Sequence, residues 1–367
     1  EEECWGFIIN ELKELAPDLP LKWDSDNSGR ATQKAAYGLL SRVALYAEKW
    51  DVAAQAARDC ATAEGNLDLS ENGYAKIFEL GINSPEVLFA VEFKSSVIDH
   101  AYDAYVRPSG DTKELGKQVY SGFVPTSELV DSYEMAGDGG NFSWEKHGKD
   151  PYANREPRFY ATILYNGADW MGRKIESFVG GKDGYKAYEN AGAAGTTVTG
   201  YYLRKYLIDG DKTWVTSGSG QDWIVLRYAE VLLNKAEALA MENWNKNSAE
   251  ALQALNDVRA RVGLPARATA DKETFLEYVR HERKVELAGE GFRYWDLRRW
   301  RLAEKVIDGQ NVHGVKISKQ SDGSFTYEQV DADGGHKRIF YDRYYRFAIP
   351  LSERSNNSLC TNNDGWI

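Results

Sequence analysis

The stretch from His281 to Trp300, "HERKVELAGEGFRYWDLRRW", concentrates the side chains most capable of chemistry. Glu282, Glu286 and Glu290 recur at every fourth position, so on a helix their carboxylates stack along one face. Such a stripe can ligate a hard cation, supply the acid and base of a glycosidase, or neutralise buried arginines. A zinc-protease pattern needs a second histidine four residues after His281, and Val285 stands there instead. Like charges at this spacing repel by roughly 0.2–0.5 kcal/mol per pair even in water, so they call for cations. Arg293, Arg298 and Arg299 follow beyond the Gly289 and Gly291 break, and their planar forks suit carboxylates. They also compete with a metal for the same oxygens. The stripe therefore reads as an ion-pair network joining one helix to the next.

Other reactive groups are scattered. The histidines His100, His147, His281, His313 and His336 sit in no recognisable catalytic context, and no nucleophile elbow, phosphate loop or dinucleotide fingerprint occurs. Catalysis and a bound cofactor are therefore not expected. Cys4, Cys60 and Cys360 fit no zinc spacing, and an odd number cannot close a disulfide framework. Lys and Arg total 45 against 56 Asp and Glu, a net charge of −11, with the bases dispersed among acids. A phosphate-tracking surface for nucleic acid is not expected from that balance. No apolar run reaches the ~18 residues of a membrane span and no leader is visible, while Glu1 to Glu3 make Cys4 a poor lipid-attachment site.

The elements that must hold these groups are mainly helical. With 43% apolar residues the chain can build a sizeable core. In "RATQKAAYGLLSRVALYAEKWDVAAQAARDC", Ala31, Ala35, Leu39, Val43 and Ala47 share a helical face, flanked by Ala36, Leu40 and Ala44. Asp51 is placed to cap a second helix carrying Val52, Ala56 and Cys60, which Gly65 ends. The pair resembles a tetratricopeptide unit. A second pair is expected from "WIVLRYAEVLLNKAEALA", with Ala229, Leu232, Leu233, Ala236 and Ala240 on one face. Its partner starts at a Ser248 cap, carries Leu252, Leu255 and Val262, and closes at Gly263 and Pro265.

Between the pairs the helical period fades. "SPEVLFAVEFK", "EPRFYATILYNG" and "TVTGYYLRKYLID" read as strands, rich in β-branched and aromatic residues. The glycine-rich connections between them are longer than a compact fold tolerates without purpose, and they carry Trp144, Trp170, Tyr185, Tyr188 and Trp214.

Several blocks, taken in order, resemble the RagB/SusD family: "GRATQKAAYGLLSRVALYAEKWDVAAQAA", "FVPTSELVDSY", "NREPRFYATILYNG", "RYAEVLLNKAEALA", "ALNDVRARVGLP", the charged stretch above, and the ending "FAIPLSERSNNSLCTNNDGW". One local departure is Cys360 to Asp364, where the family often has a Gln-Asn-Pro-Gly-Trp-like end. The resemblance covers nearly the whole chain and implies a single SusD-like domain over 1–367, mainly α. Within it, 1–65 would form tetratricopeptide-like helices and 66–220 a loop-rich ligand-binding region with short strands. The helix pair and charged motif would occupy 221–300, and a C-terminal segment 301–367. It further implies a surface lipoprotein of the bacterial outer membrane that captures glycans without catalysis. Such a protein serves a SusC-like TonB-dependent transporter, and its lipid-bearing cysteine, signal peptide and first helices would lie upstream of Glu1. Peptide capture within the same family and a tetratricopeptide scaffold for a protein partner are the alternatives.

Glycan capture needs flat aromatic faces for the C–H side of a pyranose and a few polar groups for its hydroxyls. The family's ligand residues lie in variable loops, so loop position and residue type select the candidates. Trp170 comes first, with Asp169 and Arg173 beside it, then Trp144, Tyr188, Trp214 and Tyr185. Trp5, Trp50, Trp223, Trp295 and Trp300 fall in or beside periodic segments and read as core. Tyr102, Tyr105 and Arg107 form a reserve group.

Overall fold

Alanine-rich helices pack first because small side chains let their axes approach. In the computed structural model, which describes residues 1–190 and 196–366, the helices Gln33–Tyr46 and Trp50–Thr62 lie against each other and against the long helix Tyr228–Arg261. Their seam is built from Leu40, Ala44, Ala53, Ala57, Leu233, Ala236 and Ala240, all buried. The buried face of the Gln33–Tyr46 helix carries Ala36, Leu40 and Ala44, the expected flank, while Leu39 and Val43 are only partly buried. The Glu2–Leu15 helix packs on the outside of the pair, and Lys272–Glu286 packs on Tyr228–Arg261. The architecture is mainly α, with tetratricopeptide-like helix pairs and short strands.

The second helix pair differs from its expected boundaries. Trp223–Arg227 is a strand, paired antiparallel with Val87–Val91 so that Val87 faces Arg227 and Ala90 faces Ile224. Helix begins only at Tyr228 and breaks at Asn243, whose φ of −165° and ψ of 93° leave the helical region. Asn243 Oδ1 accepts from the Lys246 amide at 3.2 Å, so the side chain capping the following helix is Asn243 rather than Ser248. Likewise Lys49, not Asp51, stands at the start of the Trp50–Thr62 helix. The "EPRFYATILYNG" segment begins as helix, Pro157–Thr162, with only Ile163–Leu164 as strand against Tyr202–Leu203.

A hairpin, His313–Lys319 with Phe325–Asp331, closes the far side and buries Val315 and Ile317 against Tyr201 and Val285. No helix among the described residues is long and apolar enough to cross a membrane.

The charged stripe lies at the junction of these layers. Glu282, Glu286 and Glu290 face inward, and their cations come from far along the chain. Arg158 bridges Glu156, Glu282 and Glu286 at 2.5–2.9 Å; Arg227 reaches Glu86, Glu286 and Glu290 at 2.7–2.8 Å. Arg259 joins Glu134 to Glu282, Arg261 joins Glu86 to Glu286, and Lys205 meets Glu290 at 2.9 Å. None of the expected partners Arg293, Arg298 and Arg299 pairs with the stripe among the described residues. Arg299 binds Asp296 and Glu237, while Arg298 donates to the carbonyls of Tyr344 and Tyr345.

Burial opposes the charge of Glu286, yet Arg261, Arg227 and Arg158 hold its carboxyl well below the usual range. Burial also pushes the Lys205 ammonium down to about 8, with Glu290 resisting. Arginines and Lys205 take the carboxylate oxygens of the stripe, and the described residues contain no group of three or more His, Cys, Asp or Glu arranged for a metal.

Candidate ligand-binding site

The loop-rich middle is organised around one guanidinium. Arg107 is fully buried between two indoles, its Cζ 5.2 Å from the Trp170 ring centroid and 5.3 Å from that of Trp214. Its Nε donates to Asp103 at 2.8 Å, and one terminal nitrogen donates to the Asp211 carbonyl at 3.0 Å. Trp170 Nε1 donates to Asp111 Oδ2 at 3.0 Å. Lys117 Nζ donates to the Val215 carbonyl at 2.6 Å and so ties the Trp214 segment to the same unit. The 103–117 segment and the glycine-rich connections carrying Trp170 and Trp214 thus share one anchored knot, which explains how those two long connections keep a shape.

Arg173 extends the knot. It donates to Asp183 at 2.6 Å and to Asp111 at 2.8 Å, joining the turn at 110 to the loop at 183. Burial works against its charge, but the hydrogen bonds and charges of Asp183 and Asp111 raise its pKa. The Gly110 amide donates to Asp183 Oδ1 at 2.9 Å, and a Cβ at that position would sit 2.5 Å from the same oxygen. Only glycine lets the backbone come that close.

The sequence candidates are distributed unequally over this frame. Trp170 and Trp214 are 1% and 2% exposed, and Tyr185 is 8% exposed. As folded, these three offer no free ring face to a ligand. Their bulk is spent on anchoring. Trp144 is half-buried, its indole donating to Asp131 at 2.9 Å beside Phe142 and Tyr327. Tyr188 remains exposed, edge-on to His336, and Asp169 is exposed and paired with Lys174 at 2.8 Å. Arg173 lies mostly inside. The reverse holds for the tryptophans read as core: Trp223 and Trp295 are exposed, while Trp5, Trp50 and Trp300 are half-buried.

What the knot presents outward is the reserve segment and its neighbour. Tyr105 and Tyr120 stack with centroids 5.1 Å apart and planes at 26°, and Phe123 stands edge-on to Tyr105 at 6.4 Å. All three rings are exposed, at 46–63%. Their backbones are locked, the Tyr120 amide donating to the Ala104 carbonyl and the Gly122 amide to that of Tyr105, each at 2.7 Å. Ser121 Oγ donates to the Arg107 carbonyl at 2.9 Å, which links the platform to the knot beneath it. Sequence reasoning reached Tyr105 but missed Tyr120 and Phe123. The available signal was the "VYSGFV" run of aromatics around a glycine.

A cleft of about 640 Å³ is lined by Phe93, Lys94, Asp103, Tyr206, Asp211 and Gln221, among others. The exposed Trp223 ring stacks on Tyr206 at its edge, 4.9 Å apart and 15° from parallel. Two aromatic rings among several polar groups suit a sugar-sized ligand.

Comparison with known proteins agrees with this architecture. The SusD family matches residues 85–366, and the chain belongs to that family. A SusD-like protein of Bacteroides ovatus is 25% identical over 91% of this chain; the aligned region spans 58% of that relative's length. Among solved structures, a SusD-like protein of Bacteroides fragilis superposes with a TM-score of 0.84 at 27% identity, covering 100% of this chain and 71% of its own. A SusD-like carbohydrate binding protein from the same species gives 0.81 at 26% identity, covering 97% of this chain and 70% of its own.

Proposed function

We propose that this protein binds glycans at the bacterial cell surface without transforming them, and delivers them to a SusC-like TonB-dependent transporter in the outer membrane. The observation that carries the reading is the rigid Tyr105, Tyr120 and Phe123 platform. Three exposed aromatic rings cost free energy in water unless something covers them, and a pyranose face is a fitting cover. Tyr188 and the Trp223 ring are further contact candidates, whereas Trp170, Trp214 and Arg173 act as positioning residues under the platform. Membership of the SusD family and the carbohydrate-binding description of a fold neighbour support the ligand class. The ion-pair network linking Glu86, Glu134 and Arg158 to Arg227, Arg259 and Glu286 supports reading the chain as one structural unit.

The test is calorimetric titration with oligosaccharides from plant, fungal and host polysaccharides, run beside a reducing-end assay. Binding that weakens at least about tenfold in Tyr105→Ala/Tyr120→Ala, at ~1–3 kcal/mol per stacked ring, with no new reducing ends, is the expected result. Reproducible release of reducing ends by pure protein would contradict it.

A further inference from the structure

We infer that the glycan taken by this site is polyanionic, bearing uronate carboxylates or sulfate esters, and that Lys113, Lys182 and Lys186 recognise those anions. This rests on the glycan-binding reading above and names the class of glycan.

The observation is a cleft of about 340 Å³ lined by these three lysines together with Ser109, Gln118 and Tyr185, among others. No carboxylate lines it, although acids outnumber bases 56 to 45 along the chain. Four other clefts in the described residues each carry at least one Asp or Glu. The charge is also unspent. Lys113 and Lys186 make no ion pair among the described residues, and Lys182 meets only the exposed Glu114 on the rim, at 3.0 Å.

The cleft is built on rigid parts. Its two walls, around 109–118 and 180–186, are the loops that Arg173, Asp111, Asp183 and the Gly110 amide clamp together. The hydroxyls of Ser109 and Tyr202 lie 3.1 Å apart, and Tyr202 also donates to the Asp183 carbonyl at 3.0 Å. Gly181 on one wall faces the Glu176 carbonyl, and a Cβ there would come within 2.2 Å of it, so only glycine lets that wall pack so closely. Gln118 lies only two residues before Tyr120, which puts the cationic cleft and the aromatic platform on the same short segment.

A single inorganic anion meets only exposed ammonium groups, whose pairs are weak and screened. A polymer with an anion on successive residues engages several lysines while its ring stacks on the platform, and the contacts then act at high effective concentration.

The test is titration of the full chain with polygalacturonate, its carboxyl-reduced neutral counterpart, a sulfated galactan and its desulfated counterpart, at low and high salt, with inorganic sulfate as a control. An acidic polymer should bind about tenfold more tightly than its neutral counterpart at low salt, which corresponds to three modest surface pairs. High salt should remove that preference. So should the Lys113→Gln/Lys182→Gln/Lys186→Gln variant, with its melting temperature and its neutral-glycan affinity unchanged. Whether the uronate or the sulfate arm shows the preference identifies the anion. Equal binding of acidic and neutral polymers overturns the inference and leaves the glycan reading standing, as does a preference that survives in the variant. Binding of inorganic sulfate as tight as that of the polymers also overturns it. No binding to any polymer overturns both.

Discussion

Replacing Trp170 by alanine separates a ligand platform from a scaffold. The ring is 1% exposed, donates to Asp111 at 3.0 Å and covers one face of the Arg107 guanidinium at 5.2 Å. Removing it opens a cavity, leaves Arg107 with one aromatic face and takes one donor from Asp111. Large-to-small substitutions of this kind cost about 3–5 kcal/mol, most when the surroundings cannot collapse. Here Arg107 and Asp111 are held by other partners and cannot fill the space. At roughly 2 °C per kcal/mol for a chain of this size, the melting temperature should fall by about 6–10 °C. Trp170→Phe keeps a ring over Arg107 and loses the hydrogen bond to a charged acceptor, about 1.5–3 kcal/mol, with a smaller cavity than alanine leaves. Urea titration of the three proteins gives the stabilities, and glycan binding is then measured well below the lowest transition. Trp170→Phe should bind like the parent. An unchanged midpoint in Trp170→Ala together with lost binding would refute the reasoning, because the ring would then be touching ligand and not holding the fold.

Other expectations follow from the same geometry. Glu286→Gln leaves Arg158, Arg227 and Arg261 short of a buried counter-charge and should cost about 3–5 kcal/mol in urea unfolding; a loss under 1 kcal/mol would show the network to be dispensable. The depressed carboxyls of Glu286 and Asp296 set the acid limb. Their stabilisation is present above the unfolded carboxylate pKa values of about 4.3 and 3.9 and is lost as pH falls below them. The urea midpoint should therefore be flat between about pH 5 and 7 and fall steeply below about pH 4, and a midpoint unchanged at pH 3 would contradict this. Gly110→Ala drives a Cβ into Asp183 and should destabilise by about 1–3 kcal/mol. Gly6→Ala, in the open face of a helix, should stabilise by about 0.5–1 kcal/mol. The opposite order of the two melting temperatures would sink the close-approach argument.

The helices were legible because Ala and Leu recur at the helical period across "AAYGLLSRVALYA" and "AEVLLNKAEALA", and local periodicity survives folding. Boundaries were less so. Pro157 at the first helical position was a usable sign that "EPRFYAT" begins a helix, outweighed by its aromatic content. The His313–Asp331 hairpin carried its own signal in Asp322-Gly323, with Gly323 at φ +87°. The glutamate stripe announced a buried network, but Arg158, Arg227 and Arg261 reach it through tertiary structure that spacing does not encode. Trp170 and Trp214 show the limit most clearly. Sequence marks a tryptophan as lying in a loop, but whether that loop folds over it depends on Arg107, some sixty and a hundred residues away.

Affinity electrophoresis tests the central claim most directly: parent, Trp170→Phe and Tyr105→Ala/Tyr120→Ala run through gels containing neutral and acidic polysaccharides. The account predicts retardation of the parent and of Trp170→Phe by at least one glycan, lost in the double tyrosine variant. Free migration of all three proteins in every gel, or full retardation of the double variant, would contradict it.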